Sequence, residues 1–421
     1  MGKKKTIFFQ VIAISLLTFF VYFPSLTNGF IWDDDDYVIN NFSIQKTDGL
    51  KEIWFSFKTP QYYPVVFSSF WLEYKLWGLN PTGYHLINLI FHIFNALLIY
   101  AVLFKLHRPL ALIAALIFAL HPVQVETVAW ITERKNIFGA FFYLLTTLFY
   151  VRFYDSHRKK DYALSLLSFV FALLSKSITS TFVVVPILIR WWQGQKFSKR
   201  DMFQLSPFVL FGFFAGLNTA YLEIVRVGAQ GSSWSLPLLG KLVLPGKIIL
   251  FYLYKLMFPF ELIFFYPRWH IDPAGLWQWL PSVCVVLMAG ILYFYREKIG
   301  RGAFALFLCF GASLFPALGF FNVYPMMYSY VADHFQSIAS ISGIVLLCGA
   351  GEFILKRLVF ESVSFTPKTQ QVVFFLILVP VLSMLGVKSY SYSKVFENRE
   401  TLFKDVIQKN PGAWMAHNNL G

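Results

Sequence analysis

The sequence predicts an all-α membrane protein, a polytopic bundle of helices. Its 421 residues are 57% hydrophobic and 14% charged, whereas soluble globular domains carry about 25% charged residues. Basic residues stand in short hydrophilic breaks between apolar stretches, as they do in cytoplasmic loops of membrane proteins. Several apolar stretches approach or reach the roughly 20 residues that cross a bilayer, among them 7–23, 86–106, 203–222 and 372–387.

The net charge and the positions of the cysteines exclude several kinds of binding site for this membrane protein. The net charge of +14 does not indicate nucleic acid binding, because no basic stripe interleaved with stacking aromatic residues occurs in a water-soluble stretch. The three cysteines lie inside apolar runs, so neither a disulfide framework nor a thiolate metal site is indicated. The first apolar stretch lacks a small-x-small cleavage site before Pro24 and more spans follow, so we expect no cleaved signal peptide. The expected partner at this stage is the lipid bilayer, with no nucleic acid.

Placing each basic break on the cytoplasmic side predicts eleven crossings and one partial one, with a cytoplasmic N-terminus and the C-terminus on the opposite side. The segment 242–258 is expected to be re-entrant or interfacial, broken by Pro245-Gly246 before it and by Pro259 after it, because a full crossing would put Arg296–Lys298 outside. Twelve full crossings are the alternative. The expected crossings lie near 7–23, 84–104, 109–121, 137–151, 162–174, 178–192, 203–222, 276–294, 303–320, 335–355 and 371–387.

The first extracytoplasmic loop is the most informative segment. It runs from Pro24 to Gly83, about 60 residues, which is long for a bundle connection and indicates functional or lid-like structure. Four consecutive carboxylates, Asp33–Asp36, follow the first span and repel one another, so water, a cation or a reacting proton has to offset the repulsion. A solvated acidic loop that stops the helix from sliding inward is the alternative. Aromatic residues beside charges predict interfacial helices in the rest of the loop.

The second outer turn, from His121 to Asn136, adds acids and bases to the same rim. Glu126 and Glu133 are seven residues apart, hence on one face if the segment is helical, and Arg134-Lys135 follow directly. An acceptor-and-phosphate site and a plain surface ion pair both fit this pattern. A lipid phosphate needs several neighbouring donors rather than one. Further cationic side chains expected at this rim are Lys176, Arg268 and His334.

The carboxyl end has the pattern that opens a tetratricopeptide repeat. In residues 410–421, Trp414 is separated by five residues from Leu420-Gly421. Repeats of this kind need about three or more units to be stable, so we expect the chain to end at the start of a repeat region. The expected division is a transmembrane domain over 1–390 and a linker with the start of the repeats over 391–421.

Several motifs together resemble the transmembrane and tetratricopeptide-repeat O-mannosyltransferases over essentially the whole chain. The composition and Tyr62-Tyr63-Pro64 are more similar to the bacterial branch of this family than to the animal one. In chain order the motifs are Gly29–Asp34 with Asn40-Asn41, Tyr84–Asn88 with His92 and Asn95, His121-Pro122-Val123 through Glu126 to Arg134, Ser175-Lys176, Phe265-Tyr266-Pro267, Ala332-Asp333-His334 and the repeat-like tail.

The resemblance implies a GT-C fold and a set of site residues. It implies a catalytic base among Asp33 and Asp34, with Asp33 the first choice, and it implies that Glu126 is the acid of the second loop. His334 stands where an arginine is common in the family, and its charge near neutral pH is conditional. The resemblance and the cationic rim together predict donor-phosphate contacts from Arg134, Lys135, Lys176, Arg268 and His334. The expected acceptor or sugar neighbourhood consists of Tyr63, His85, His121, Tyr266 and Asp333.

The resemblance also implies the reaction. A glycosyltransferase of this type moves a sugar, mannose or another hexose, from a polyprenyl-phosphate carrier to an acceptor hydroxyl, here a protein Ser or Thr, outside the cytoplasm. We expect a single inverting displacement at the inner membrane of the cell. No cofactor is implied with certainty. A divalent cation, Mg²⁺ or Mn²⁺, is left open at Asp33–Asp36, because hard oxygen ligands suit either ion.

Two other functions stay open at this stage. A transporter or flippase of lipid-linked sugars would place its charges near the bilayer midplane within broken helices, whereas the acids here cluster at the rim. A non-catalytic scaffold would bind peptides through its repeats. Exchanging Asp33 or Asp34 for Asn distinguishes these alternatives, because only the transferase needs the carboxylate.

Overall fold

The computed structural model describes residues 2–229, 231, 234, 236–360 and 366–420. This part of the chain is 79% helical and contains no strand, so the predicted all-α class is confirmed. The α-helices of the described residues are α1 Lys3–Tyr22, α2 Phe42–Gln45, α3 Gly49–Phe55, α4 Pro64–Trp77, α5 Pro81–Leu106, α6 Ala111–Leu120, α7 Val125–Ala129, α8 Arg134–Ser156, α9 Lys159–Ser175, α10 Val184–Trp192, α11 Lys199–Val225, α12 Gly240–Met257, α13 Leu280–Phe294, α14 Arg296–Ile299, α15 Arg301–Leu314, α16 Ala339–Ile354, α17 Pro367–Ser393, α18 Arg399–Lys409 and α19 Trp414–Leu420.

Seven helical stretches of the described chain are long and apolar enough to cross a membrane. An eighth arises if the pair Arg108–Leu120 and Pro122–Ala129, bent by 55°, counts as one span. Two shorter apolar helices, Ser177–Trp192 and Arg301–Ala317, coincide with two of the predicted crossings. The count of eleven or twelve crossings stays a prediction. The seven stretches are Lys4–Thr27, Pro81–Leu106, Ile131–Ser156, Lys199–Val225, Leu276–Phe294, Ala339–Arg357 and Thr369–Phe396.

The segment predicted to be interrupted at Pro245-Gly246 is one continuous helix, α12. Proline removes one backbone hydrogen bond near the beginning of this helix, which the remaining turns tolerate. Gly246 allows a close approach, because a Cβ there would lie 2.4 Å from the backbone nitrogen of Ser282. The expected break at Pro245-Gly246 is therefore wrong, whereas α12 does end at Met257, before Pro259. A re-entrant or interfacial position of α12 stays a prediction.

The long first loop is largely helical and folds back onto the bundle. It contains α2, α3, α4 and a π-helical turn at Asp35–Ile39. Asn80 caps the next helix, its side chain accepting from Thr82 N at 3.1 Å, and Pro81 occupies the first helical position, where no amide donor is needed. A separate hydrophobic core lies beneath this loop, with Phe67, Phe70 and Tyr84 fully buried. The loop is thereby held against the beginnings of α5 and α8.

The main hydrophobic core joins helices that are distant in sequence. It contains residues of α1, α5, α6, α12, α16 and α17, and it extends to α18 near the carboxyl end. The connections that follow α1 and α7 and that precede α16 consequently meet at one end of the bundle, where their polar residues face one another.

Candidate active site

One cavity collects polar residues from three separate segments. Its volume is about 250 Å³, and its walls come from the first loop, from the turn between α7 and α8, from residues 264–265 and from residues 324–335. Aromatic side chains form much of the remaining wall. The charged or titratable lining residues are Asp33, Asp36, Tyr37, Glu126, Glu133, Lys135, Tyr324, Tyr328 and His334.

A tight turn at Trp32 directs Asp33 into this cavity. Trp32 has φ +40°, a left-handed conformation that bulky residues rarely adopt. Its ring stacks on that of Trp130, with centroids 5.8 Å apart and an interplanar angle of 4°, and packs edge-on against Phe265. These contacts stabilise the strained turn. Burial raises the pKa of Asp33, with the attraction of Lys135 opposing the shift.

Asp34 points away from the cavity and is fully buried. One carboxylate oxygen accepts from the backbone N–H of Ile31 at 2.9 Å. The other accepts from the backbone N–H and the hydroxyl of Thr132, at 2.8 and 2.5 Å. Burial raises the pKa of Asp34 to about 7 although these hydrogen bonds oppose the shift. Asp34 therefore ties the first loop to the turn before α8, beside Asp33.

The remaining two aspartates take different directions. Asp35 pairs with the guanidinium of Arg399 in α18, and the exposed Asp36 lines the cavity. The four carboxylates thus do not converge on one point. Among the residues that the structure describes, no group of three or more His, Cys, Asp or Glu side chains is arranged to hold a metal ion.

Glu126 fixes the orientation of His334. Its carboxylate contacts the Nδ1 atom of His334 at 2.7 Å and accepts from the backbone N–H of the same residue at 3.1 Å. The Nε2 atom of His334 consequently faces Glu133, whose Oε1 atom is 3.9 Å away. Because Nδ1 is engaged by a carboxylate, Nε2 is the ring atom that is left to face the cavity.

Glu133 stands at the centre of the cationic groups. Its Oε1 atom lies 2.8 Å from the Lys135 ammonium, and its Oε2 atom lies 3.8 Å from the Lys176 ammonium. The segment from Glu126 to Glu133 is not one helix, because α7 ends at Ala129 and Trp130 is extended. The condition under which the two acids would share one helix face is therefore not met. Both carboxylates still reach the cavity, because the chain turns sharply between them.

Arg134 is not brought into the cavity. Its guanidinium is completely buried beneath the first loop, where it pairs with the carboxylate of Glu73 in α4. It also donates to the hydroxyl of Ser69 at 2.7 Å, the backbone oxygen of Tyr84 at 2.7 Å and the side-chain oxygen of Asn88. These partners occupy the guanidinium, so the expected phosphate contact is replaced by a structural ion pair between α4 and α8.

Three predicted site residues are buried beside the cavity rather than on its surface. The hydroxyl of Tyr266 lies 3.1 and 3.2 Å from the two carboxylate oxygens of Asp333, and burial raises the pKa of Asp333 well above its ordinary value. His121 contacts the backbone oxygen of Leu256 through Nε2 at 3.0 Å. These residues hold the cavity walls together.

The other predicted residues lie at varying distances from the site. His85 is buried beside the backbone of Asn28 and Gly29, below the first loop. Tyr63 packs against the core beneath that loop, within range of the charge of Lys135. Arg268 lies over the ring of Tyr330, 5.2 Å from its centroid, and does not line the cavity.

Two acids that the sequence did not single out take part in the site region. Glu73 was part of an aromatic segment of the first loop, and its buried pairing with Arg134 has no local sequence signal. Glu223, near the end of α11, accepts from the backbone N–H of Tyr324 at 3.1 Å. A carboxylate inside an apolar span is unusual enough to have marked Glu223 as a candidate.

A large apolar groove adjoins the polar cavity. It has a volume of about 1200 Å³ and lies among α10, α11, α12, α13 and α15. The groove reaches Asn322-Val323, whereas the polar cavity begins at Tyr324-Pro325. Lys176 itself lines neither of them, but its neighbour Ser177 lines the groove, and its ammonium lies 3.8 Å from Glu133, which lines the cavity. The arrangement suits an amphipathic ligand with a long apolar chain and a polar head.

Fold and site together define a multi-pass membrane protein with an acid-and-lysine cavity beside an apolar groove. Residues 58–217 match the family model described as dolichyl-phosphate-mannose-protein mannosyltransferase. This match covers less than half of the chain and supports the resemblance to the protein O-mannosyltransferases that the sequence motifs indicate. The bacterial branch stays a prediction.

Curated relatives agree with this family. A "Protein O-mannosyl-transferase F38B6.6" of Caenorhabditis elegans is 31% identical over 166 residues, 36% of this chain and 24% of that protein. The human "Protein O-mannosyl-transferase TMTC3" is 30% identical over 142 residues, 31% of this chain and 16% of that protein. The human "Protein O-mannosyl-transferase TMTC4" is 31% identical over 162 residues, 32% of this chain and 22% of that protein. The matches thus span a quarter or less of these relatives.

Proposed function

We propose that this protein is an integral-membrane glycosyltransferase that moves mannose from a polyprenyl-phosphate carrier to a Ser or Thr hydroxyl of a protein. The observation that carries the proposal is the convergence of Asp33 with Lys135 and His334 on one cavity, with Lys176 beside both this cavity and an apolar groove. The names of the matching family and of the relatives support mannose as the sugar and protein as the acceptor.

In this proposal Asp33 is the general base. A hydroxyl is a poor nucleophile, so a carboxylate within hydrogen-bond reach takes its proton as the attack on the anomeric carbon proceeds. Burial raises the pKa of Asp33, which makes its carboxylate a stronger base than an exposed aspartate. Asp34 acts through Asp33, because its three hydrogen bonds fix the turn that carries the base.

The cations stabilise the leaving group. The bond from the anomeric carbon to the phosphate oxygen breaks as the new glycosidic bond forms, and the electron pair stays on the phosphate. A phosphate needs no carboxylic acid to protonate it on departure, in contrast to the leaving group of glycoside hydrolysis. Lys135, Lys176 and His334 are positioned to stabilise its developing charge. The polyprenyl chain then occupies the apolar groove.

A single displacement of this kind inverts the anomeric centre. We therefore expect a product with the anomeric configuration opposite to that of the donor, as measured by the one-bond carbon–proton coupling of the product's anomeric signal in NMR. A product that keeps the configuration of the donor would exclude Asp33 as a base acting in a single step.

The proposed function is tested by incubating the purified protein in lipid with radiolabelled polyprenyl-phosphate mannose and a Ser/Thr-containing peptide. We expect label in the peptide with this donor and none with a nucleotide-linked mannose. Transfer from the nucleotide sugar, or no transfer from any polyprenyl-phosphate sugar to any hydroxyl acceptor, contradicts the proposal. The proposed orientation places the cavity on the extracytoplasmic face of the inner membrane.

A further inference from the structure

We propose that Glu133 is a positioning residue for the donor phosphate, because its carboxylate lies between the ammonium groups of Lys135 and Lys176 and holds both beside the cavity. The inference rests on the proposed function, since it treats these lysines as the ligands of a polyprenyl phosphate. Glu133 itself acts through the lysines and contacts no reacting atom.

The geometry places one carboxylate between two ammonium groups. Lys135 lies 2.8 Å from Oε1 and Lys176 lies 3.8 Å from Oε2, which also accepts a hydrogen bond from the side-chain amide of Asn136. The side chain of Glu133 is completely buried, and that of Lys176 is 15% exposed. Two like charges this close to each other repel, and a buried ammonium also loses its hydration. Without a carboxylate between them, at least one lysine is expected to lose its proton.

Lys176 is the lysine that depends on this carboxylate most. Burial and the charge of Lys135 together lower the pKa of Lys176 to about 8, although the charges of Glu133 and Glu126 raise it. The groups that face Lys176 are Glu133 before α8, Lys135 in α8 and Glu126 in α7. Glu126 is already engaged by His334 at 2.7 Å. Of the two acids that favour the charged form of Lys176, Glu133 therefore has the larger effect.

Replacing Glu133 by Gln therefore leaves the net charge of the cluster almost unchanged. The substitution removes one negative charge, and Lys176 then releases its proton near neutral pH. The electrostatic attraction of the cavity for a phosphate therefore does not increase, and the phosphate loses the charged Lys176 as a ligand. Lowering the pH restores the proton to Lys176, and an arginine at this position retains its charge at any working pH.

The test measures the affinity of the full-length protein for polyprenyl phosphate between pH 6 and pH 9, without a sugar transfer step. For the wild type, we expect the affinity to fall as the pH rises through about 8. For Glu133→Gln, we expect the affinity to fall at a pH at least one unit lower than for the wild type. Because a shift of one pH unit changes the affinity at most about tenfold, binding at pH 7.5 is expected to be weaker by a factor of up to about 10. Glu133→Asp, which retains the carboxylate, is expected to lie between the two.

Two further variants separate positioning from a general structural defect. The double variant Glu133→Gln with Lys176→Arg is expected to regain affinity at pH 8, which a damaged fold would not do. The control Glu297→Gln changes an exposed glutamate between α13 and α15 and is expected to bind as the wild type does. If Glu133→Gln does not fold, the profile of Glu133→Asp decides.

The inference is overturned if Glu133→Gln, or Glu133→Asp in that case, shows the pH profile of the wild type. It is also overturned if the double variant binds no better at pH 8 than Glu133→Gln alone. Failure of the proposed function has a different signature, in which the wild type binds polyprenyl phosphate but transfers no sugar from it.

Discussion

At the scale of single residues, the adjacent acids Asp33 and Asp34 have different surroundings and are expected to have different roles. Asp33 lines the cavity, whereas Asp34 accepts three hydrogen bonds from Ile31 and Thr132. A pair of acids in one sequence motif does not reveal which of the two is held by the backbone. The difference becomes visible only when the partners of each carboxylate are known.

The role of Asp34 is tested by Asp34→Asn together with Thr132→Val. The side chain of Asn has an N–H group where Asp34 has an acceptor oxygen. One of the buried donors that now bond to Asp34 therefore loses its acceptor, at a cost of about 1–3 kcal/mol. We expect lower thermal stability and a lower kcat for Asp34→Asn, with a smaller effect in the same direction for Thr132→Val. Measuring melting and transfer for both variants checks this. If Asp34→Asn loses kcat while Thr132→Val and both melting profiles equal the wild type, Asp34 acts directly in the reaction.

The dependence of activity on pH follows from two groups. Asp33 works as a base only without its proton, and burial raises its pKa, so activity rises with pH above the ordinary aspartate value of about 4. Lys176 loses its proton as the pH rises through about 8, so activity falls there. We expect a bell-shaped profile of kcat/KM, and Lys176→Arg is expected to move the alkaline fall to higher pH. If Lys176→Arg leaves the pH profile unchanged, the loss of the Lys176 proton does not cause the alkaline fall in activity.

At the scale of elements, the beginning of α8 shows why neighbouring cations take separate roles. Consecutive residues of a helix point about 100° apart, so Arg134 and Lys135 cannot both face the cavity. Lys135 faces it, and Arg134 turns to Glu73 beneath the first loop. The sequence predicted a basic pair at the rim, whereas the structure brings only Lys135 to the cavity, because the packing of α4 gives Arg134 a buried partner.

The ion pair between α4 and α8 is expected to stabilise the fold rather than bind the donor. Glu73→Gln leaves a buried guanidinium without its carboxylate, which costs about 3–5 kcal/mol of unfolding free energy. We expect a large loss of thermal stability, with donor affinity retained in the folded fraction. The control Glu52→Gln disrupts ion pairs with Lys46 and Lys58 on the surface of the same loop and is expected to melt close to the wild type. Wild-type stability together with lost donor affinity would make Arg134 a phosphate ligand.

Much of the element pattern was predictable from local signals. Apolar length and basic breaks predicted the helical class, and Asn80-Pro81 marks the beginning of α5. The continuous helix through Pro245 was not predictable, because a proline near the beginning of a helix is compatible with both a break and a helix. The meeting of Asp33, Glu126 and His334 followed from the alternation of spans, which placed all three on one side. The directions of their side chains did not follow from the alternation of spans.

At the scale of the whole molecule, the segment from α17 to α19 contacts two segments that line the cavity, the first loop and residues 264–265. The side chain of Asn28 donates to the backbone oxygen of Ser393 at 3.0 Å, and Arg399 pairs with Asp35. Farther along, Asn410 donates to the backbone oxygen of Phe265 at 3.0 Å. The part of the chain that was predicted to begin a repeat region therefore contacts the loop that carries Asp33. Residues 414–420 are helical, as the repeat pattern requires, but the repeat itself stays a prediction.

Trp414 connects this segment to the cavity. Its ring packs against Tyr328, a lining residue, with centroids 5.5 Å apart. Removing such an aromatic contact costs about 0.5–1.5 kcal/mol, so we expect Trp414→Ala to raise the KM for the peptide acceptor about twofold to tenfold. The KM for the donor is expected to stay the same. The control is Trp277→Ala, an exposed tryptophan in another segment. Equal effects of both substitutions would contradict a specific role of Trp414.

The central claim is that a carboxylate from the first loop and cations from distant segments act on one substrate in one cavity. The most direct measurement compares sugar transfer from polyprenyl-phosphate mannose by the wild type, Asp33→Asn and Asp48→Asn, an exposed aspartate of the same loop. We predict that Asp33→Asn binds the donor but transfers sugar about 10²–10⁴ times more slowly, and that Asp48→Asn matches the wild type. Transfer at the wild-type rate by Asp33→Asn would contradict the claim.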